Sequence, residues 1–311
     1  MRANVKLLLQ ALVGVITLTT ATAYAGTLHV NCDATKGLTR ISKAIALLQK
    51  SGSPGPNTIV VSGSCKENIV IQSMDNLTLS AETGASISDR SHSNADIIDI
   101  QDSRRIAIIG FTINGGADGV GCFGFSLCRL FDNTIQGSSG FGVWAINSQV
   151  ALNNDVVQNH ASRGVAIVNG SQVNADGSTI QGNGEGIVSN IRGTLGLSNS
   201  SVQGNGNRGI FAETGSSIRM LASTVTANGS DGVQLQKNSQ LSIENFSGAS
   251  SITGNGGAGV SVGDLSFAFF DAGSNVTGNT AGADVICLPQ FSATRGATTN
   301  LGGGTTNCVE P

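Results

Sequence analysis

Asp155, His160 and Arg163 place three complementary chemistries close together in the chain. A His side chain can take up and return a proton near neutral pH. Arg presents a planar fork that neutralises a substrate carboxylate. An Asp can orient the His ring. These residues are the candidate acid–base cluster. His160 also falls in a slot that Asn fills later in the chain, which offers it a structural role instead. A second pattern is a column just before a recurring Gly: Asp118, Phe141, Arg163, Glu185, Arg208 and Asp231. Its sign alternates from Arg163 onward, as in a surface ion-pair ladder whose pairs each contribute less than about 1 kcal/mol. A third pattern lies two residues after the same Gly: Trp144, Ala166, Val188 and Phe211. This row is apolar where solvent is expected, so it could stack sugar rings or dock a partner. Trp144, Val188 and Phe211 are the candidate ligand contacts.

A repeat positions all three patterns. Gly followed by Val or Ile recurs at Gly119, Gly142, Gly164, Gly186, Gly209, Gly232 and Gly259. The period is roughly 23 residues, with only the last step longer. Ile113, Ile135, Val157, Ile180, Val202, Val225, Ile252 and Val276 keep the same beat, as do Val150, Val173, Leu195, Ile218 and Leu241. Three short apolar marks per repeat, separated by Gly, Asn and Ser, predict three short strands per turn of a coil. Coils stack at about 4.8 Å, so residues in one column touch. Asn183, Asn205, Asn228, Asn255 and Asn279 each follow the third apolar mark by three positions. Stacked Asn side chains can hydrogen-bond up a column, and Asn tolerates a left-handed backbone.

Segments such as STIQGNGEGIVSN (178–190) and SSVQGNGNRGIFAE (200–213) resemble the right-handed parallel β-helix repeats of the pectin-lyase-like superfamily. The resemblance runs from Asn57 to about Cys287. GSCKENIVI (63–71) is similar to the opening coil of many members, with Cys65 where an aromatic residue is common. The implied fold is all-β: a single-stranded right-handed parallel β-helix of roughly ten coils. The apolar spacing of Leu38, Ile41, Ile45 and Leu48 predicts an amphipathic helix of about 12 residues capping its N-terminal mouth.

The resemblance implies no activity, because one fold hosts many functions. Catalytic members carry signatures that are missing here: RxPxxR beside acidic calcium ligands and an Arg base; NTD, adjacent Asp pairs, GHG and RIK; DPH; and GxxDFIFG. The turns before the first strand are short, at 158–163, 181–185, 203–208 and 226–231. They offer little wall for excluding water. Only 115–129, 244–251 and 263–274 swell.

The N-terminal segment reads as an address. Arg2 and Lys6 precede an apolar run over 7–20, and Ala23-Tyr24-Ala25 forms a small-x-small cleavage site. The run is shorter than the roughly 20 residues that span a bilayer. The expected division is a signal peptide over 1–25, an N-terminal cap over 26–56, the β-helix over 57–287 and a C-terminal cap over 288–311. Without Arg2 and Lys6 the remaining chain carries 15 basic and 20 acidic side chains, a net −5. With no basic stripe, nucleic acid is excluded as a partner. Six Cys in an exported chain suggest disulfides. Six Cys allow 15 connectivities; each neighbouring pair brackets one local feature, so the pairing expected is Cys32–Cys65, Cys122–Cys128 and Cys287–Cys308. A metal site is the weaker reading, since no CxxC occurs and only His29, His92 and His160 are available.

The expected protein is therefore secreted or periplasmic and monomeric. It has no cofactor, and calcium has no ligand set that the sequence identifies. The leading function is non-catalytic binding of a polysaccharide or surface protein through the first-strand face. The alternatives are a polysaccharide lyase, hydrolase or epimerase with an atypical site, and a structural or adhesive rod.

Overall fold

The computed structural model describes residues 26–288 and 293–309. The expected signal peptide, 1–25, lies outside the described residues, as do parts of the expected C-terminal cap. The described residues form a parallel β-solenoid with three sheets. The first-strand sheet has 10 strands, from Ile69–Gln72 to Val285–Cys287. The second-strand sheet has 12, from Gly26–Asn31 to Ala293–Arg295, and the third-strand sheet has 10, from Ser64–Lys66 to Asn275–Thr277. Each strand pairs in parallel with its equivalent one coil away. Val165, for example, lies between Val143 and Ile187.

The inward columns follow the alternation in the sequence. Val165, Ile167, Val173, Ala175 and Ile180 of one coil are all buried, and equivalent residues above and below continue a single core. Burying a Val or Ile contributes roughly 1.5–3 kcal/mol relative to exposure.

One helix, α1 (Ile41–Ser51), closes the N-terminal mouth and buries Ile41, Ala44, Ile45 and Leu48. Leu38 packs on the core from outside the helix. Arg40 at the N-cap makes no side-chain capping bond. Glu67 of the first coil takes that role: its Oε1 accepts the Ile41 N–H at 2.7 Å and its Oε2 accepts the Ser42 Oγ–H at 2.7 Å. A carboxylate there satisfies open N–H groups and opposes the helix dipole. Gly52 ends α1 in the left-handed region, with φ 64°. All three expected disulfides are present: Cys32–Cys65, Cys122–Cys128 and Cys287–Cys308.

Polar ladders line the corners inside this frame. At the corner between the third and first strands, Asn183, Asn205, Asn228 and Asn255 each donate a backbone N–H to the Asn Oδ1 one coil on, at 3.0–3.2 Å. Asn279 ends the ladder by donating its N–H to Asp284 Oδ1, five residues further on, at 2.9 Å. The corner between the second and third strands uses Asn133, Asp155, Ser178, Ser200, Ser223 and Ser250 in the same way. The tight corner also explains the Gly column. A Cβ on Gly164 would lie 2.7 Å from Asn183 Nδ2 and 2.8 Å from the Gly186 carbonyl oxygen.

Candidate functional site

Asp155, His160 and Arg163 are not brought together. Asp155 precedes the third strand Val156–Gln158, His160 follows it, and Arg163 opens the next first strand. The two acid–base candidates thus occupy different corners. His160 is buried, and its ring imitates a ladder Asn. Nδ1 accepts the Ser138 N–H at 3.1 Å, which leaves the proton on Nε2 to donate to the Ile135 carbonyl at 3.0 Å. Burial lowers its pKa to about 4. Asp155 is fully buried; its Oδ1 accepts from the Asn133 N–H and Nδ2, and its Oδ2 from the Asn153 N–H. Burial still raises its pKa to about 6. Both groups are spent on corner hydrogen bonds, and neither reaches a substrate in this arrangement.

The His160 geometry makes a test. A folded-state pKa of about 4, below the ordinary 6.5, means that the unfolded chain binds more protons between those two values. The His therefore costs stability as pH falls through 6.5. Asn in its place carries no such cost. His160→Asn should match the parent at pH 7.5 and be about 2 kcal/mol more stable near pH 5. Urea titrations at the two pH values check this. An equal difference at both would show that burial does not keep the ring neutral.

Arg163 belongs to the charged column on the first-strand face. Its Nε lies 3.6 Å from Glu185 Oε2, and its guanidinium lies 5.3 Å from the Phe141 ring centre. Glu185 also pairs with Arg208, which bonds Gln234 at 2.8 Å and covers the Phe211 ring at 3.9 Å. Asp231 instead accepts the Ala258 N–H at 2.8 Å.

The apolar row is less open than its pattern predicts. Ala166 is fully buried and Val188 only 3% exposed, although both point outward. In register, Val188 lies between Ala166 and Phe211. Phe211 lies under Arg208. Val188 is thereby withdrawn as a ligand contact, and Trp144 and Phe211 remain as the half-buried ends of the row.

Around Trp144 the structure assembles groups that the repeat pattern does not connect. Phe123 and Phe141 meet its ring edge-on at 5.3 and 5.2 Å. The residue beside Trp144 in register is Gly121, and the next is Asp99. A Cβ on Gly121 would strike the Phe123 ring and lie 3.0 Å from Asp96 Oδ2. The missing side chain lets the Phe123 ring lie directly over Gly121, between Trp144 and Asp96. The Asp96 and Asp118 carboxyls lie close to each other. Burial, then the charges of Asp118 and Asp99, push the Asp96 pKa up to about 6. Asp118 Oδ1 accepts the Phe141 N–H at 2.5 Å. Asp99 Oδ2 accepts from Gln101 at 2.7 Å, while its buried Oδ1 has no partner. Asp-Ile-Ile-Asp (96–99) is the available signal in the sequence. It falls outside the regular beat, because Ile69 and its partner Ile98 are further apart along the chain than one ordinary repeat.

Among the described residues, one group of three potential metal ligands is close enough to share an ion: Cys32, Cys65 and Glu67. Its sulfurs form a disulfide and Glu67 caps α1, so it lacks the thiolates a soft metal needs.

Comparison with curated proteins gives no match. The family model described as "Right handed beta helix region" matches residues 118–281. Solved structures share the architecture at low identity. The A-module of Azotobacter vinelandii mannuronan C-5 epimerase AlgE4 has a TM-score of 0.60 at 12% identity, covering 86% of this chain and 94% of that one. Pectate lyase Pel9A has a TM-score of 0.59 at 12% identity, covering 91% and 82%. The enzymatically active domain of bacteriophage CBA120 tailspike protein 2 has a TM-score of 0.61 at 11% identity, covering 86% of this chain and 47% of that one. At these identities the likeness is one of fold. The family match, with three parallel sheets wound around one core, makes this chain a member of the right-handed β-helix family.

Proposed function

We propose that the protein is exported and binds a polysaccharide through the first-strand face, with Trp144 as its anchor. The observation that carries this reading is the partly exposed aromatic cluster of Phe123, Phe141 and Trp144 packed over Gly121. Two aromatic rings brace Trp144 there, beside half-buried carboxyls. Aromatic faces stack on the CH faces of sugars, and carboxylates accept from sugar hydroxyls. Three disulfides and the leader-like segment 1–25 support export. Co-sedimentation with a panel of acidic and neutral polysaccharides tests the reading. The parent should be retained, and Trp144→Ala should weaken retention about thirtyfold, the loss typical of a buried aromatic anchor. Equal retention of both proteins would sink it.

One observation favours a second reading, a carbohydrate-active enzyme. Asp96 lies beside Asp118, and burial together with the neighbouring carboxylates raises its pKa to about 6. That arrangement supplies a general acid. Product formation should then fall as pH rises above about 6, because Asp96 loses its proton, and Asp96→Asn should abolish it. Mass spectrometry of the co-sedimentation tubes reads the products. Retention without product leaves the binding reading alone.

A further inference from the structure

A groove of about 570 Å³ runs along the opposite edge of the first-strand sheet, where the chain turns into the second strand. Five successive coils line it, from Asp75 to Gly170. At about 4.8 Å per coil it is roughly 19 Å long and parallel to the solenoid axis. Its shape comes from a change in local chain length. Met74 and Ser103 occupy equivalent corner slots, as do Ser103 and Ser126. Leu77, Ile106 and Cys128 are aligned in the next strand. Two coils therefore spend one residue more than the third. The extra residues, Asn76 and Arg105, have φ of 57° and 54°. This is a bulge shared by two coils and ended at the third, and bulges re-aim side chains.

The bulge turns Arg105 onto Asp75, which it grips through both Nε and NH2. Arg104 beside it is exposed and has no ion pair among the described residues. At the third coil, Phe125 is 79% exposed with φ 62°. The equivalent residues, just before Ser148 and Ser171, are Asn147 and Gly170, which suit the left-handed region; a Phe is strained there. The Cys122–Cys128 disulfide ties both ends of this turn to the core. A strained, fully presented ring thus stands in the groove beside an unpaired cation, on a chain whose net charge is −3.

We propose that this corner groove is a second saccharide site, separate from the first-strand face, that takes an acidic sugar within an extended glycan. Phe125 stacks on the sugar ring. Arg104 takes its carboxylate. Asn147, Gln149 and Asn169 offer amides to its hydroxyls. Asp75 is neutralised by Arg105, so the groove's remaining charge is that of Arg104.

The test uses the Trp144→Ala protein, so that the first-strand face does not contribute. It is titrated calorimetrically with a hexuronate tetrasaccharide and with the uncharged hexose tetrasaccharide of the same linkage. Arg104→Gln should weaken the hexuronate about tenfold and leave the hexose unchanged, the loss expected for one charge-assisted contact. Phe125→Asn suits the left-handed backbone and should weaken both about tenfold. No binding in the Trp144→Ala protein, or binding that neither substitution alters, overturns the groove and leaves the first-strand face untouched. Binding that the parent shows and Trp144→Ala abolishes would assign it all to that face.

Discussion

Replacing Asn205 by Ala is expected to destabilise the protein by about 3–5 kcal/mol. The side chain is buried at the middle of the corner ladder. Its Oδ1 accepts the Asn183 N–H and Nδ2, both at 3.0 Å. Its Nδ2 donates to the Ile180 carbonyl at 3.3 Å and to Asn228 Oδ1 at 2.9 Å. Truncation leaves a buried N–H without an acceptor and strands partners on both sides. Each unsatisfied buried group costs about 1–3 kcal/mol, and a connected ladder loses more than isolated bonds would. Asn207 is the control. It is exposed and its side chain makes one 3.3 Å bond to Glu185, so Asn207→Ala should cost under about 0.5 kcal/mol. Urea unfolding followed by circular dichroism compares the two. Equal midpoints would mean that the ladder contributes nothing to stability.

Gly209→Ala should cost about 3 kcal/mol or more, for a different reason. Its new Cβ would lie 2.6 Å from the Gly232 carbonyl oxygen, and 2.7 Å from both Asn228 Nδ2 and Val225 Cγ1. One of these is backbone and another is a held ladder amide, so relief requires moving a coil. Overpacking of this kind costs about 1–3 kcal/mol and sometimes more. Gly204 separates this effect from backbone preference. It has φ 59° and open space at the Cβ position, so Gly204→Ala should cost only about 1–2 kcal/mol of left-handed strain. The same unfolding assay ranks them. If Gly204→Ala proves the worse substitution, close coil contact is not why the Gly column exists.

The two proposed saccharide surfaces differ in chemistry. The first-strand cluster is aromatic and acidic, with Asp96, Asp99 and Asp118 near Gly121. The corner groove holds Arg104 beside a presented Phe125. A binder that used both would grip one glycan chain along its axis and another part across its face, and the paired variants separate these contributions.

The repeat makes the fold legible. Three apolar marks roughly every 23 residues dictate three short strands and a stacked core, because equivalent positions must touch when coils stack. Neighbouring Cys pairs, the Asn column and the amphipathic helix all follow from local spacing, and local spacing survives folding. The candidate site does not follow in the same way. His160 and Asp155 carry suggestive chemistry, yet corner geometry gives both to hydrogen-bond ladders. Val188 points outward but is buried by its neighbours in register. Asp99 comes to lie in register beside Gly121 and Trp144 only because an overlong coil closes onto one of ordinary length. Arg104 and Phe125 line one groove because two coils carry one extra residue and the next does not. The coil, its core and its cross-links can be read from the chain because they repeat. Which outward side chains share one patch of solvent cannot, because that depends on how coils of unequal length fall into register.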